Sequence, residues 1–280
     1  MKTLIVNADD FGFTEDVNAG IVHAYQHGIL TATTLMANGD AFADAVRLAK
    51  ENPGLDVGCH FVLVGQGHSL VPPYKNLPPS VPRLAAAAYS GKIDIEAELE
   101  AQLRRIAAAG IQPVHIDAHK HTHLLPPVLD AIVKVAYRYG IRFIRRPFDL
   151  PIGYLPQGTP LSRRPTAMGM QLLRKRFARI LASGNYRATD YFAGFQITGC
   201  FGTSDLVRVL QDLPEGSTEF MTHPGFCEEP LRKAHTRLKE SRVAELEALT
   251  AKEVREAIEQ NAIRLCGYRQ LLSPHDAFAA

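Results

Sequence analysis

Residues 3–12 read Thr3-Leu-Ile-Val-Asn-Ala-Asp-Asp-Phe-Gly12, and the fold turns on how this stretch is read. The apolar run offers no polar face, so residues 3–8 are expected to form a short strand buried on both sides. Asp9-Asp10-Phe11-Gly12 is expected to break it. Residues 15–27 follow with helical character: Val17, Ile21, Val22 and Tyr25 share one face, and Gly28 is a C-terminal stop. A buried strand that hands over to a helix is the unit of a parallel sheet with crossover connections.

Working outward, the unit recurs. Strands are expected at residues 31–36, 57–64, 114–118, 141–144 and 218–222, and helices at 41–50, 93–109 and 126–139. Asn52-Pro53-Gly54 is a turn signal, and the 126–139 helix has proline at its start and Gly140 at its end. Residues 65–83 are rich in glycine and proline and are expected as an excursion loop. Residues 150–189 are expected to be irregular and then helical, and residues 241–266 to hold one or two helices rich in Glu and Arg. No internal repeat or linker stands out, and 280 residues is within reach of one α/β barrel. One domain over residues 1–280 is therefore expected, with 65–83 and 150–189 as its excess length.

Composition narrows the classes. A hydrophobic fraction of 46% with 21% charged residues is that of an ordinary globular chain and excludes disordered and collagen-like classes. Lys+Arg 31 against Asp+Glu 29 leaves +2, which argues against a nucleic-acid binder. Cys59, Cys200, Cys227 and Cys266 are scattered, neither a disulfide framework nor a zinc ribbon, so reduced thiols in a cytoplasmic protein are expected. No apolar run approaches the ~18 residues of a membrane span, and the first apolar stretch is too short for a signal peptide.

Polar side chains gather where the expected strands end. Asp9 and Asp10 follow the first, His60 lies near the end of the third, and Asp117, His119, His121 and His123 follow the fourth. Arg145 and Arg146 follow the fifth, and His223 the late one. Active sites of parallel α/β folds lie at that edge, whereas purely structural polar residues have no reason to favour it. Within His115-Ile-Asp-Ala-His-Lys-His-Thr-His123, an extended chain puts Asp117, His119, His121 and His123 on one face. A turn towards Pro126 would instead pair His119 with His123 at i, i+4. Either brings two imidazoles to one point, and imidazole with carboxylate suits zinc, manganese or cobalt, while carboxylate-rich sites accept magnesium. Asp10 is expected as a ligand and Asp9 as a proton acceptor, with the reverse open. Cys59 should face away from His60 into the core, and His23 and His27 are expected on the surface or in packing.

Asn7-Ala-Asp-Asp-Phe-Gly12, Gly58-Cys-His-Phe61, Asp117-Ala-His-Lys-His-Thr-His123 and Arg145-Arg-Pro147 together resemble the YdjC-like, or ChbG-type, carbohydrate deacetylases, from residue 3 to about 225. The resemblance implies an irregular (β/α) barrel related to the polysaccharide deacetylase (NodB-like) barrel. It implies one divalent metal ion, magnesium or zinc, on Asp10, His60 and His119, with Asp9 as base, and a homodimer. The substrate implied is an N-acetylated amino sugar that loses acetate. The His-Lys-His-x-His spelling is most similar to the hopanoid-biosynthesis-associated branch, which implies an N-acetylglucosaminyl hopanoid. In such a reaction His223 is expected as the general acid, and Arg145 or Arg146 as the partner that orients Asp9, the other contacting solvent or sugar. Asp117 with His121 or His123 is expected to fix a ligand ring in its tautomer.

Residues 150–189 carry Arg163, Arg164, Arg174, Lys175, Arg176, Arg179 and Arg187 and no acid. Residues 168–181 are amphipathic, with Met170, Leu173, Phe177, Ile180 and Leu181 against the bases. A solvated basic helix is the favoured reading, and a membrane-surface or anionic-substrate contact the lesser one. The competing functions are another metal-dependent barrel enzyme (a sugar isomerase or phosphoesterase) or a non-catalytic sugar-binding protein. An isomerase would want a pocket-side lysine, and Lys120 is expected to face away.

Overall fold

The computed structural model describes residues 1–272 apart from Gln66, Tyr74, Ile152 and Tyr154. Its strands are β1 (Lys2–Phe11), β2 (Ala32–Leu35), β3 (Asp56–Phe61), β4 (His115–Ala118), β5 (Phe143–Ile144), β6 (Tyr191–Ala193), β7 (Gly216–Thr222) and β8 (Arg264–Leu265). Its helices are α1 (Glu15–His27), α2 (Phe42–Glu51), α3 (Val81–Tyr89), α4 (Ile95–Ala108), α5 (Pro126–Arg138) and α6 (Arg163–Gln171). They continue with α7 (Arg174–Ser183), α8 (Thr203–Gln211), α9 (Glu229–Lys233), α10 (Glu240–Thr250) and α11 (Lys252–Gln260).

The sheet runs in the order β5-β4-β3-β2-β1-β7-β6, with β8 added beside β1, and every pairing is parallel. Its outer strands are joined by two parallel bridges, Phe143 with Arg187 and Asp149 with Phe192. The sheet thus curls into an irregular α/β barrel whose seam is made of very short strands. β1 is central and buried along all but its first residue, as its unbroken apolar run requires. Helices cover the outside through stripes at helical spacing: Leu99, Leu103 and Ile106 on α4, and Val128, Ile132 and Val135 on α5.

Several elements differ from the sequence-based expectation. β1 does not stop at Ala8 but continues to Phe11, with a register shift between Ala8 and Phe11. β3 ends at Phe61 rather than at residue 64. The expected loop at 65–83 leads into α3, which the Pro and Ala content of residues 82–88 did not announce. β6, α8 and β8 were not expected; two- and three-residue strands carry too little periodicity to be seen. Residues 119–124 form neither strand nor α-helix but 3-10 turns, with Lys120 and His121 at φ of 53° and 51°. Neither of the two geometries expected for the histidine tract holds.

Candidate active site

The barrel interior at the C-terminal ends of the strands opens into a cavity of about 1020 Å³. Asp9, Asp10, His60, His119, His121 and His223 line it. Asp9 and Asp10 both reach it because β1 is irregular there: Asp10 has φ 69°, which turns a chain that would otherwise send neighbours to opposite faces. Among the described residues, three of the five non-glycine positions with positive φ, Asp10, Lys120 and His121, flank this cavity. Such backbone costs on the order of 1–3 kcal/mol each and persists where the surroundings enforce it.

Asp10, His60 and His119 converge. Asp10 Oδ1 lies 3.4 Å from His60 Nε2 and 3.2 Å from His119 Nδ1, and the two ring nitrogens are 3.3 Å apart. All three donor atoms lie within 4.8 Å of one another, and the buried Asp10 Oδ1 has no well-directed hydrogen bond. The other ring nitrogen of His60 meets Asp117 Oδ1 at 2.7 Å. That bond fixes the ring so that Nε2 faces the cluster, an arrangement typical of metal-binding histidines. Asp9, His60 and Asp117 make a second close group. It suits a cation less well, because both oxygens of Asp9 and one of Asp117 are already spent on Arg145.

Arg145 is buried and lies among three carboxylates. It holds Asp9 with two bonds, of 2.7 and 2.6 Å, and reaches Asp117 at 2.5 Å and Glu219 at 2.6 Å. Asn7 adds a bond of 2.9 Å from its Nδ2 to Asp9 Oδ1 and is itself tied to His115 Nε2 at 2.9 Å. A second guanidinium, Arg242 on α10, holds Asp10 Oδ2 at 2.5 Å. Each of the adjacent acids therefore has its own arginine. Burial opposes ionisation of both, but Arg145 beside Asp9 and Arg242 beside Asp10 outweigh it and hold both carboxyls below the usual range.

The charges show what the site accepts. Four buried carboxylates, Asp9, Asp10, Asp117 and Glu219, face two guanidiniums. Protons can make up part of the difference: burial pushes Glu219 up to about 7. At His60 burial works the other way, but Asp117 overcomes it and draws the imidazole up to about 10. A divalent cation on Asp10, His60 and His119 supplies the same positive charge without those protons, so the residues present fit one.

His223 follows β7, its backbone N–H donating to Glu245 Oε2 at 2.6 Å. Burial lowers its imidazole to about 4, so the ring is neutral near pH 7. Of the remaining expected residues, His121 lies against Phe192 and Phe195 at the cavity wall. His123 is buried against Phe177, and neither it nor Arg146 lines the cavity. Between the two candidates at the Arg-Arg-Pro element, the partner of Asp9 is Arg145. Lys120 does not face away as expected but lines the cavity, because its left-handed backbone turns the chain. Cys59 is buried in the core as expected, and all four cysteines are free thiols. Sequence reading missed Arg242, Glu219 and Glu245. Glu219 occupies an inward position of β7, a signal available in principle, but nothing in the sequence near Arg242 points to Asp10.

The family described as YdjC-like protein matches residues 3–260. A carbohydrate deacetylase of Brevibacillus brevis is 34% identical over 275 residues, 96% of this chain and 99% of that one. A chitooligosaccharide deacetylase of Enterobacter sp. strain 638 is 32% identical, covering 96% and 99%. Among solved structures, a candidate cellobiose-phosphate cleavage protein of Enterococcus faecalis V583 superposes with a TM-score of 0.75 at 24% identity, covering 97% of this chain and 99% of that one. That likeness speaks for the fold.

Proposed function

The chain belongs to the YdjC-like family, and from that premise we propose that it removes the N-acetyl group of an amino sugar in a carbohydrate by hydrolysis, releasing acetate. The convergence of Asp10, His60 and His119 beside the arginine-anchored Asp9, inside one cavity, supports this reading most directly. Asp10, His60 and His119 would hold the metal, and two imidazoles to one carboxylate favour zinc over magnesium. When bound, the cation supplies Lewis acidity towards the amide oxygen and lowers the pKa of a water.

The chain's own groups move the protons. Asp9, fixed by Arg145 and Asn7, takes the proton of the attacking water as the O–C bond forms. Arg145 keeps Asp9 ionised and so ready to accept that proton. His223 is neutral at rest, so it first accepts that proton and then delivers it to the sugar nitrogen as the C–N bond breaks. Water and amide thus become acetate and a protonated amine, the second water proton passing from the new carboxyl group to the amine. The cavity admits a sugar with an attached group; an N-acetylglucosaminyl hopanoid is the particular glycolipid that the histidine-tract resemblance brings forward.

The test is acetate and amine release from N-acetylglucosamine oligomers, diacetylchitobiose and an N-acetylated glycolipid, with metal-loaded and with chelated protein. Equimolar products, lost on chelation, are expected. No release from any of these by the metal-loaded protein would sink the proposal.

A further inference from the structure

The apolar side chains that make residues 168–181 amphipathic do not face outward. Phe177 and Leu181 are buried, and Met170, Leu173 and Ile180 pack against the core. With its inner face satisfied, an α6–α7 pair should show solvent a polar outer face. Instead Leu161, Met168 and Leu172 are 96%, 72% and 86% exposed, half of the large hydrophobic side chains that stand exposed among the described residues.

These three are not scattered. Leu172 and Leu173, between the two helices, keep right-handed helical backbone, so the rotation of about 100° per residue carries through. On that rotation positions 168, 172, 175 and 179 fall in one stripe. Its apolar half is Met168 and Leu172, with exposed Leu161 just ahead of α6; its C-terminal half is Lys175 and Arg179, both exposed. Residues 150–189 contain no Asp or Glu to neutralise it. The first residue of α6, Arg163, turns inward from the same helix and lines the active-site cavity.

We propose that this outer face of α6–α7 docks the protein on an anionic lipid surface. An apolar stripe inserts among acyl chains while flanking cations meet phosphate headgroups. A second copy of the chain is the poorer occupant, because an isologous contact would set this cationic stripe against itself. The contact is peripheral, since no helix of the described residues is long and apolar enough to cross a membrane.

The test is flotation of the full chain with vesicles of phosphatidylcholine alone and of phosphatidylcholine with phosphatidylglycerol, at low and high salt. Binding to the anionic vesicles only, falling as salt rises, is expected. Each removed charge should weaken partitioning about fivefold, so Lys175→Ala with Arg179→Ala should lower it at least tenfold. Met168→Asp with Leu172→Asp should lower it further. All four positions are exposed, and unchanged thermal melting shows that the variants are folded. Three results would overturn the proposal: no flotation at low salt, equal flotation of the variants, or a dimer by light scattering that Leu172→Asp dissociates without any vesicle binding. The readout needs no substrate, so its failure leaves the hydrolytic reading standing, and the reverse holds as well.

Discussion

Arg145 and Arg179 lie on opposite sides of this molecule's logic. Arg145 is 1% exposed and touches Asp9, Asp117 and Glu219; Arg242 is equally buried and holds Asp10. Arg179, like Arg174, stands in solvent on α7. In sequence the groups look alike, and the dense basic run at 174–179 draws more notice than the isolated Arg242. The difference teaches that an arginine's role follows from its burial and partners. Desolvating a guanidinium costs several kcal/mol, which only converging carboxylates offset, so a buried arginine marks a place where the fold has organised acids.

The comparison breaks most sharply at Arg145. Arg145→Met leaves three carboxylates in the barrel interior without their cation, and should cost about 3–5 kcal/mol of stability, read by denaturant unfolding. A loss below 1 kcal/mol would mean that the carboxylates simply take up protons. Next is Asp9→Asn, which keeps the shape but removes the proton acceptor. Deacetylation should fall by about 10²–10⁴, while metal affinity, read by calorimetry, holds. Loss of metal instead would exchange the roles of Asp9 and Asp10.

His223 gives a pH-dependent test. Its folded pKa is depressed from the ordinary 6.5 to about 4, so the unfolded chain binds the proton more readily. The stability tied to the neutral ring is present above pH 6.5 and is lost as pH falls to about 4. His223→Asn lacks this loss. Relative to the parent it should therefore gain on the order of 2–3 kcal/mol between pH 7 and pH 4, measured as paired unfolding curves. Arg242→Met should weaken metal binding by about 10–100-fold, because Asp10 loses the contact that aims Oδ1 at the two histidines; Arg242→Lys should restore part of it. At the small end, Arg179→Ala should change stability by no more than about 0.5 kcal/mol.

Much of the site was legible because it follows strand ends. A run such as Leu4-Ile-Val6 must be buried, and polar residues directly after such runs mark the functional edge of a parallel sheet. That reasoning reached Asp9, Asp10, His60, His119, Arg145 and His223, all of which the barrel brings together. It misjudged β1 and the histidine tract, where left-handed backbone at Asp10, Lys120 and His121 re-aims side chains. Single positive-φ positions leave no periodic trace. The inward packing of 168–181 was equally hidden, since an amphipathic pattern does not say which body covers its apolar face.

By itself the sequence determined the strand and helix alternation, the family, and the set of acids and imidazoles at the sheet edge. These are local: they depend on a run, a period or a motif. Only the tertiary structure decided that Arg242 serves Asp10 across 232 positions, that Glu219 shares Arg145, and that Leu161, Met168 and Leu172 stay uncovered. Burial and pairing are set by what the closed barrel brings alongside, and no window of the chain contains both partners.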